Sequence, residues 1–286
     1  MVFEHEIPEG SKLYFGENAK LKREIENKAS DVLMNEGFEE IITPVFSYHQ
    51  HLSIEDEREV VRVNDTENNH MTLRADSTID VVRIVDKRLG RNTKQKKWFY
   101  IQPVLRYPST EIYQIGAEVI DEGELSSVLS VAIKTFKALE TQPLLQLSNI
   151  NIPKILVEEF DFELDSFKRI EVQTLRAKGY GWMDDLIYLN KAEQITEELL
   201  EKVPEAIREE LLKLKTLALE VAYENVVVAP LYYAKMRYYD ELFFRFIEKN
   251  DVLSRGGRYK SDGICSVGFA LYTDELIELI DKKRRG

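Results

Sequence analysis

Residues Trp98 to Ile120, WFYIQPVLRYPSTEIYQIGAEVI, decide the fold of this chain. Aromatic and β-branched residues fill both halves of the stretch, and the polar run Pro108-Ser109-Thr110 separates them. Two such runs around a short polar loop are typical of a β-hairpin, and proline has no place inside a central strand. We therefore predict two antiparallel strands joined at Pro108.

Polar side chains interrupt the second predicted strand at alternate positions. Gln114, Gly116 and Glu118 have the same parity, so they face one side of the strand, and Gly116 leaves room between the two polar residues. This pattern indicates a groove lined by an amide and a carboxylate. The alternative is a polar face that is simply exposed to solvent, as on any half-exposed antiparallel sheet.

The chain before the hairpin contains both helical and strand patterns. Pro44 lies in a predicted strand and indicates a sheet edge or the approach of another chain. Ser77 or Thr78 is the predicted N-cap of a helix, which puts Arg74, Asp76 and Thr78 at a strand-to-helix turn where polar groups can face a ligand. The predicted elements are an amphipathic helix over residues 18–35, a strand over 38–46, a hairpin over 60–73 and a helix over 79–87.

After the hairpin, a long helical segment separates two regions of strand composition. Since strands predominate early and late, the predicted class is α+β with a mainly antiparallel sheet. We expect one domain over all 286 residues, with residues 152–223 as a helical insertion. The other predicted elements are a helix over 126–139, a short strand over 144–147, strands over 225–231 and 238–246, a glycine-rich turn over 254–259, a strand over 266–271 and a helix over 274–282.

Composition and charge exclude several classes of function. A formal net charge of -12 weighs against a nucleic-acid partner, because Lys and Arg supply the affinity for phosphate backbones. The single cysteine, Cys265, allows no internal disulfide and favours a reducing compartment. The sequence shows neither a signal peptide nor a membrane-spanning run, so we expect a cytoplasmic protein.

No metal or cofactor site is predicted. His49 and His51 form a close pair, but no further histidine or cysteine completes a zinc set. Phosphate loops of the GxxxxGK[ST] type and nucleophile arrangements are missing from the sequence as well.

A set of short motifs nevertheless carries a resemblance. TLRADST, LRY, QIGAE, YY, GGRY and VGFAL follow one another within about residues 10–280. In this order they resemble the catalytic domain of histidyl-tRNA synthetase and its non-catalytic relative, the regulatory subunit of ATP phosphoribosyltransferase. The resemblance implies a class II aminoacyl-tRNA synthetase fold, with an antiparallel sheet flanked by helices. It also implies a homodimer formed through the first helix and the strand that carries Pro44.

Departures from the synthetase pattern favour the non-catalytic relative. Pro108 follows Arg106-Tyr107 directly and shortens the loop that grips ATP in the synthetase. Glu275 stands where a synthetase arginine packs on adenine, and a carboxylate there would repel triphosphate. Ala234 stands at the position of the catalytic arginine, and no anticodon-binding domain is expected after residue 286.

The residues at the amino-acid end of the synthetase pocket match the synthetase pattern more closely than those at the ATP end. A carboxylate that accepts an imidazole N–H, and an acidic group opposite an ammonium, are charge-assisted contacts suited to histidine. By resemblance, Asp76, Thr78 and Gln114 would hold the α-amino group, Glu118 and Tyr238 or Tyr239 the imidazole, and Arg106 the carboxylate.

Three hypotheses follow. The favoured one is a histidine-sensing regulatory subunit, without catalysis of its own, that acts with a short-form ATP phosphoribosyltransferase catalytic subunit at the first step of histidine biosynthesis. The second is a trimmed amino-acid-activating enzyme, which would need an ATP-binding loop. The third is a structural assembly partner whose pocket binds nothing.

Overall fold

The stretch from residue 98 to residue 120 folds as a hairpin inside a large sheet. The computed structural model describes residues 6–48, 54, 56–90, 92–121, 123–234, 239–261 and 263–285. The strands are β1 (Glu39–Glu40), β2 (Phe46–Ser47), β3 (Arg62–Asn64), β4 (His70–Leu73), β5 (Lys97–Arg106), β6 (Thr110–Ile120), β7 (Leu144–Asn149), β8 (Val226–Val228), β9 (Tyr239–Glu248), β10 (Asp251–Ser261) and β11 (Ile264–Tyr272).

Two helices precede the hairpin, one follows it directly, six lie between β7 and β8, and one ends the described part of the chain. They are α1 (Gly16–Asn35), α2 (Thr78–Ile84), α3 (Leu125–Ala138), α4 (Asn151–Glu159), α5 (Leu164–Lys168), α6 (Val172–Ala177), α7 (Met183–Tyr188), α8 (Glu197–Lys202), α9 (Glu205–Glu220) and α10 (Thr273–Arg285). A π-helical turn, Val85–Leu89, extends α2.

The main sheet has the order β1-β5-β6-β11-β10-β9-β7-β8. Its inner pairs are antiparallel, whereas the outermost pairs β1-β5 and β7-β8 are parallel. A small second sheet has the order β2-β4-β3. The predicted α+β class with a mainly antiparallel sheet is confirmed.

Alternation along the hairpin separates the two faces of the sheet. Phe99, Ala117 and Val119 belong to the large apolar core with α1 and α3, whereas Trp98 and Tyr100 belong to a smaller cluster on the opposite face. Side chains of consecutive strand residues point to opposite faces, so Gln114, Gly116 and Glu118 lie on the face away from that core. The candidate site forms on this second face.

The segment between β7 and β8 is helical and consists of α4 to α9. Its helices bury Ile207, Leu211 and Leu214, which continue the large core. The division of the chain into one domain with an insertion over 152–223 stays a prediction.

The structure corrects three local predictions. The strand expected over residues 38–46 is limited to β1, with Phe46 in β2 of the small sheet. The stretch 254–259 lies inside β10 instead of forming a turn, because its two glycines accommodate neighbouring side chains within the sheet. Neither Ser77 nor Thr78 caps α2 with its side chain; Asp76 Oδ1 accepts a hydrogen bond from the Ile79 backbone N–H at 3.0 Å.

Candidate ligand-binding site

A cavity of about 160 Å³ opens on the second face of the sheet. It lies over β6, β10 and β11 and against the turn that begins α2. Six of the seven predicted site residues line it, namely Asp76, Thr78, Arg106, Gln114, Glu118 and Tyr239. The seventh, Tyr238, lies outside the described residues. Residues from separate parts of the sequence therefore meet around one small space.

Glu118 is the fully buried centre of this cavity, with no exposed surface. Tyr259 donates a hydrogen bond to its Oε2 at 2.7 Å, and Tyr100 donates to its Oε1 at 3.4 Å. Burial raises the pKa of the Glu118 carboxyl to about 8, although both tyrosine hydrogen bonds act in the opposite direction. A solvated polar face, the alternative reading of the alternation, is excluded at this position.

The backbone beside Glu118 is shaped to admit its side chain. Gly268 pairs with Glu118 across β6 and β11, and a Cβ atom at residue 268 would lie 1.7 Å from Glu118 Oε2. Only glycine leaves this space open. The room expected over Gly116 is filled instead, because a Cβ there would lie 2.1 Å from Cζ of Tyr100, a residue that reaches over from β5.

Asp76 and Thr78 approach the cavity from the start of α2. Burial raises the pKa of Asp76, opposed by the hydrogen bond from the Ile79 backbone and by the nearby Arg106 guanidinium. Thr78 Oγ1 lies 3.2 Å from the Tyr100 hydroxyl, which joins Thr78 to the group around Glu118. This end of the cavity therefore offers two buried carboxyls and a hydroxyl to a cationic ligand group.

Arg106 gives the same cavity a cationic end. Its Nε lies 3.8 Å from Oε2 of the half-exposed Glu59, an ion pair of small energetic weight. Its Nη1 is buried and has no hydrogen-bond partner within the described part of the chain. Since a buried donor without a partner is costly, a ligand carboxylate at Nη1 would be favourable.

Sequence reasoning missed the three lining residues with polar side chains that come from the last two strands: Arg255, Tyr259 and Tyr272. Arg255 and Tyr259 lie in the segment interpreted as a turn. In a strand, Arg255, Gly257 and Tyr259 alternate with their neighbours and face the same side of the sheet. Interpreting this stretch as a strand would have placed Arg255 and Tyr259 on one face.

Comparisons with known proteins identify the family of this chain. The family model for histidyl-tRNA synthetase matches residues 14–276. An ATP phosphoribosyltransferase regulatory subunit from Wolinella succinogenes is 47% identical over 286 residues, which cover 100% of this chain and 99% of the relative. The chain belongs to the ATP phosphoribosyltransferase regulatory subunit family. A regulatory subunit from Helicobacter hepaticus is 40% identical over 98% of this chain and 99% of its own length.

The fold of this family member is also that of solved structures. The crystal structure of an ATP phosphoribosyltransferase regulatory subunit/histidyl-tRNA synthetase from Bacillus halodurans superposes with a TM-score of 0.84 at 21% identity, covering 98% of this chain and 84% of that one. This likeness confirms the predicted class II synthetase fold.

The structure also describes the three positions at which this chain departs from the synthetase pattern. The loop from β5 to β6 consists only of residues 107–109. Glu275 lies in the first turn of α10, where burial raises its pKa. Ala234 is buried and lines a neighbouring cavity.

Two classes of site find no support in the part of the chain that the structure describes. No group of three or more His, Cys, Asp or Glu side chains could hold a metal ion. Among the described helices, none has the length and apolar content needed to cross a bilayer.

Proposed function

We propose that this chain is the non-catalytic regulatory subunit of an ATP phosphoribosyltransferase and that it senses histidine through the cavity around Glu118. It would act with a separate short-form catalytic subunit at the first step of histidine biosynthesis, in the cytoplasm. The names of the full-length relatives support the regulatory role. The main support for the histidine-sensing role is that Asp76, Arg106 and Glu118 line one small cavity.

The charges of the cavity match those of free histidine. The α-ammonium group would lie against Asp76 and Thr78, and the carboxylate against the unsatisfied Nη1 of Arg106. Glu118, with a pKa of about 8, would meet an imidazole whose ordinary pKa is about 6.5, so the two groups share one proton at neutral pH. Gln114 and Tyr239 would complete the contacts with the amino group and the ring.

Regulation requires that histidine favour one state of the hetero-oligomer over another, because a ligand with equal affinity for both states shifts nothing. Glu118→Gln tests this. The amide keeps the shape but can neither give up nor take up a proton, so it cannot form a charge-assisted hydrogen bond with the imidazole. Histidine affinity should therefore fall by ~1.5–3 kcal/mol, the range for a hydrogen bond to a charged group. Stimulation of the catalytic subunit should persist, because it depends on surfaces outside the cavity.

The measurement is phosphoribosyl transfer by the reconstituted complex across a histidine titration. Glu111→Gln is the matched control, since it makes the same chemical change on β6 outside the cavity lining. An inhibition curve that Glu118→Gln leaves unchanged would place histidine at another site, on the catalytic subunit or between the two proteins.

We also propose that the chain forms a homodimer through α1 and the segment around Pro44. Large apolar side chains are exposed there, with Ile42 79% and Phe46 56% accessible. Exposed apolar surface of this kind is typical of an interface.

Ile42→Glu should shift the protein toward monomer in light scattering at micromolar concentration. Leu219→Glu, which places the same charge at a 59% exposed leucine on α9, should not. A wild-type protein that is monomeric without its partner would rule out this interface.

A further inference from the structure

A second cavity, of about 190 Å³, lies beside the first and shares Tyr239 and Arg255 with it. Its described lining includes three cations, Lys168, Arg245 and Arg255, and no Asp or Glu. Residues 235–238 lie outside the described residues, and their sequence, KMRY, contains no Asp or Glu either. In a chain with a net charge of -12, this is a local concentration of positive charge.

The two arginines lie directly opposite each other in neighbouring strands. Arg245 of β9 pairs with Arg255 of β10 in the antiparallel register. Side chains at directly opposite positions share a face of the sheet, and like charges there destabilise it. The two arginine side chains therefore start from the same face of the sheet, and burial together with the charge of Arg255 lowers the pKa of Arg245. An anion bound near Arg245 would offset this repulsion.

Arg245 has only neutral partners among the described residues. It donates hydrogen bonds from Nη1 to the Tyr232 hydroxyl at 3.1 Å and from Nη2 to Gln146 Oε1 at 2.8 Å. Its guanidinium lies 3.9 Å from the centre of the Tyr232 ring. Its Nε is buried without a hydrogen-bond partner in the part of the chain described. The side chain is thus fixed in place, with its charge unbalanced by any described carboxylate.

The helical segment adds the third cation from the other side of the cavity. Lys168 ends α5, and its Nζ lies 3.7 Å from Oδ1 of Asp165, whose side chain is 63% exposed. An ion pair with an exposed carboxylate is weak. Lys168 can therefore contribute its charge to a ligand in the cavity.

We propose that this second cavity binds a phosphate group, either as inorganic phosphate or as part of a small phosphate monoester. Guanidinium groups bind phosphate oxygens through pairs of N–H donors, and the ammonium of Lys168 adds a point charge. A doubly charged, tetrahedral anion can use donors that converge from the sheet and from the helical segment. Tyrosine hydroxyls in the same lining supply further donors.

Isothermal titration calorimetry of the full chain with inorganic phosphate, at constant ionic strength, tests the proposal. We expect saturable binding to one site. Arg245→Gln should raise the dissociation constant at least ~10-fold, and Lys168→Gln about 3-fold, because one hydrogen-bonded guanidinium contributes more than a partly exposed ammonium. Lys178→Gln is the matched control: Lys178 also lies in the helical segment, pairs with Asp161 and is comparably exposed, but is not part of the lining.

A second titration with ribose 5-phosphate distinguishes the two sources of the phosphate group. Tighter binding of the sugar phosphate, lost in Arg245→Gln, would identify a monoester; tighter binding of inorganic phosphate would identify the free anion. No saturable heat with either ligand, or equal binding by the wild type, Lys168→Gln and any folded Arg245→Gln variant, would overturn the proposal. Neither titration uses histidine, so a negative result here would leave the proposed histidine-sensing function untouched.

Discussion

Two adjacent cavities on one face of the sheet share a wall and differ in their charged groups. The described lining of the first includes two carboxyl and two guanidinium groups, and that of the second includes three cations and no carboxyl. The first centres on the buried carboxyl of Glu118, and the second on the guanidinium of Arg245. Tyr239 and Arg255 separate them and line both. The difference follows from position along the sheet: β6 brings a carboxyl between two tyrosines, whereas β9 and β10 place two arginines at opposite positions of their register.

Each cavity buries an ionisable group whose charged form is disfavoured by its surroundings. In the first cavity, burial disfavours the ionised form of Glu118. In the second, burial lowers the pKa of Arg245; the charge of Arg255 lowers it further, whereas Tyr232 raises it. Such arrangements reduce the stability of the free protein and are typical of binding sites. The comparison therefore predicts that replacing Glu118 or Arg245 weakens ligand binding, and that replacing Glu118 does not weaken the fold.

The largest expected effect is the pH dependence of stability that Glu118 causes. Its pKa is about 8 in the folded protein against a reference value of 4.5, so between these values the folded state holds a proton that the unfolded state releases. The free energy of unfolding should fall with rising pH across this window, by a few kcal/mol, since each pKa unit corresponds to about 1.4 kcal/mol. Glu118→Gln removes this dependence.

Urea denaturation of the unliganded wild type and Glu118→Gln at several pH values between 5 and 9 measures the effect. The variant should gain stability over the wild type as pH rises toward 8 and keep a constant advantage above it. Glu111→Gln, on the same strand, should leave the wild-type dependence in place. Parallel curves for wild type and Glu118→Gln would show that Glu118 is ionised at neutral pH, and the contrast between the cavities would be wrong in this respect.

An intermediate effect is expected from closing the first cavity at Gly268. In Gly268→Ala the new Cβ would lie 1.7 Å from Glu118 Oε2 and 2.7 Å from the Ala117 carbonyl oxygen. Forcing an extra methyl group into a packed site costs about 1–3 kcal/mol. We therefore expect that much loss in the free energy of unfolding, together with loss of histidine binding as Glu118 is displaced.

Gly181→Ala is the control for this substitution, because no atom lies within 4 Å of the Cβ position there. Urea denaturation and histidine calorimetry measure the two consequences. A Gly268→Ala protein that retains wild-type histidine affinity would mean that Glu118 does not contact the ligand.

The sequence predicts the first cavity better than the second, for a physical reason. The shared face of Gln114 and Glu118 follows from alternation within one strand. The burial of Glu118 depends on Tyr259 and Gly268, which pair with it only in the folded sheet. The glycines of 254–259 suggested a turn, because their steric role becomes visible only with neighbouring strands in place.

The second cavity has no local sequence signal. Arg245 and Arg255 become neighbours through the register of β9 with β10, which spacing along the chain does not define. Lys168 joins them from a helical segment without any catalytic pattern. Family resemblance did not indicate this group either, because it carried over only residues that match the synthetase motifs. Tertiary placement alone assembles these cations.

The smallest expected effect is the difference between removing the hydroxyl of Tyr259 and removing that of Tyr100, the two tyrosines that donate hydrogen bonds to Glu118. Tyr259→Phe removes a hydrogen bond of 2.7 Å to the carboxyl, whereas Tyr100→Phe removes one of 3.4 Å, too long to be strong. Both hydrogen bonds favour the ionised form, so each variant should raise the pKa of Glu118, and Tyr259→Phe should raise it more. The change in histidine affinity for Tyr259→Phe should be about 0.5–1.5 kcal/mol, the net value of a typical hydrogen bond. Infrared titration of the carboxyl and histidine calorimetry give the two numbers. If Tyr100→Phe had the larger effect on both, Tyr100 rather than Tyr259 would set the charge of this cavity, and the strand that matters most for sensing would be β5 instead of β10.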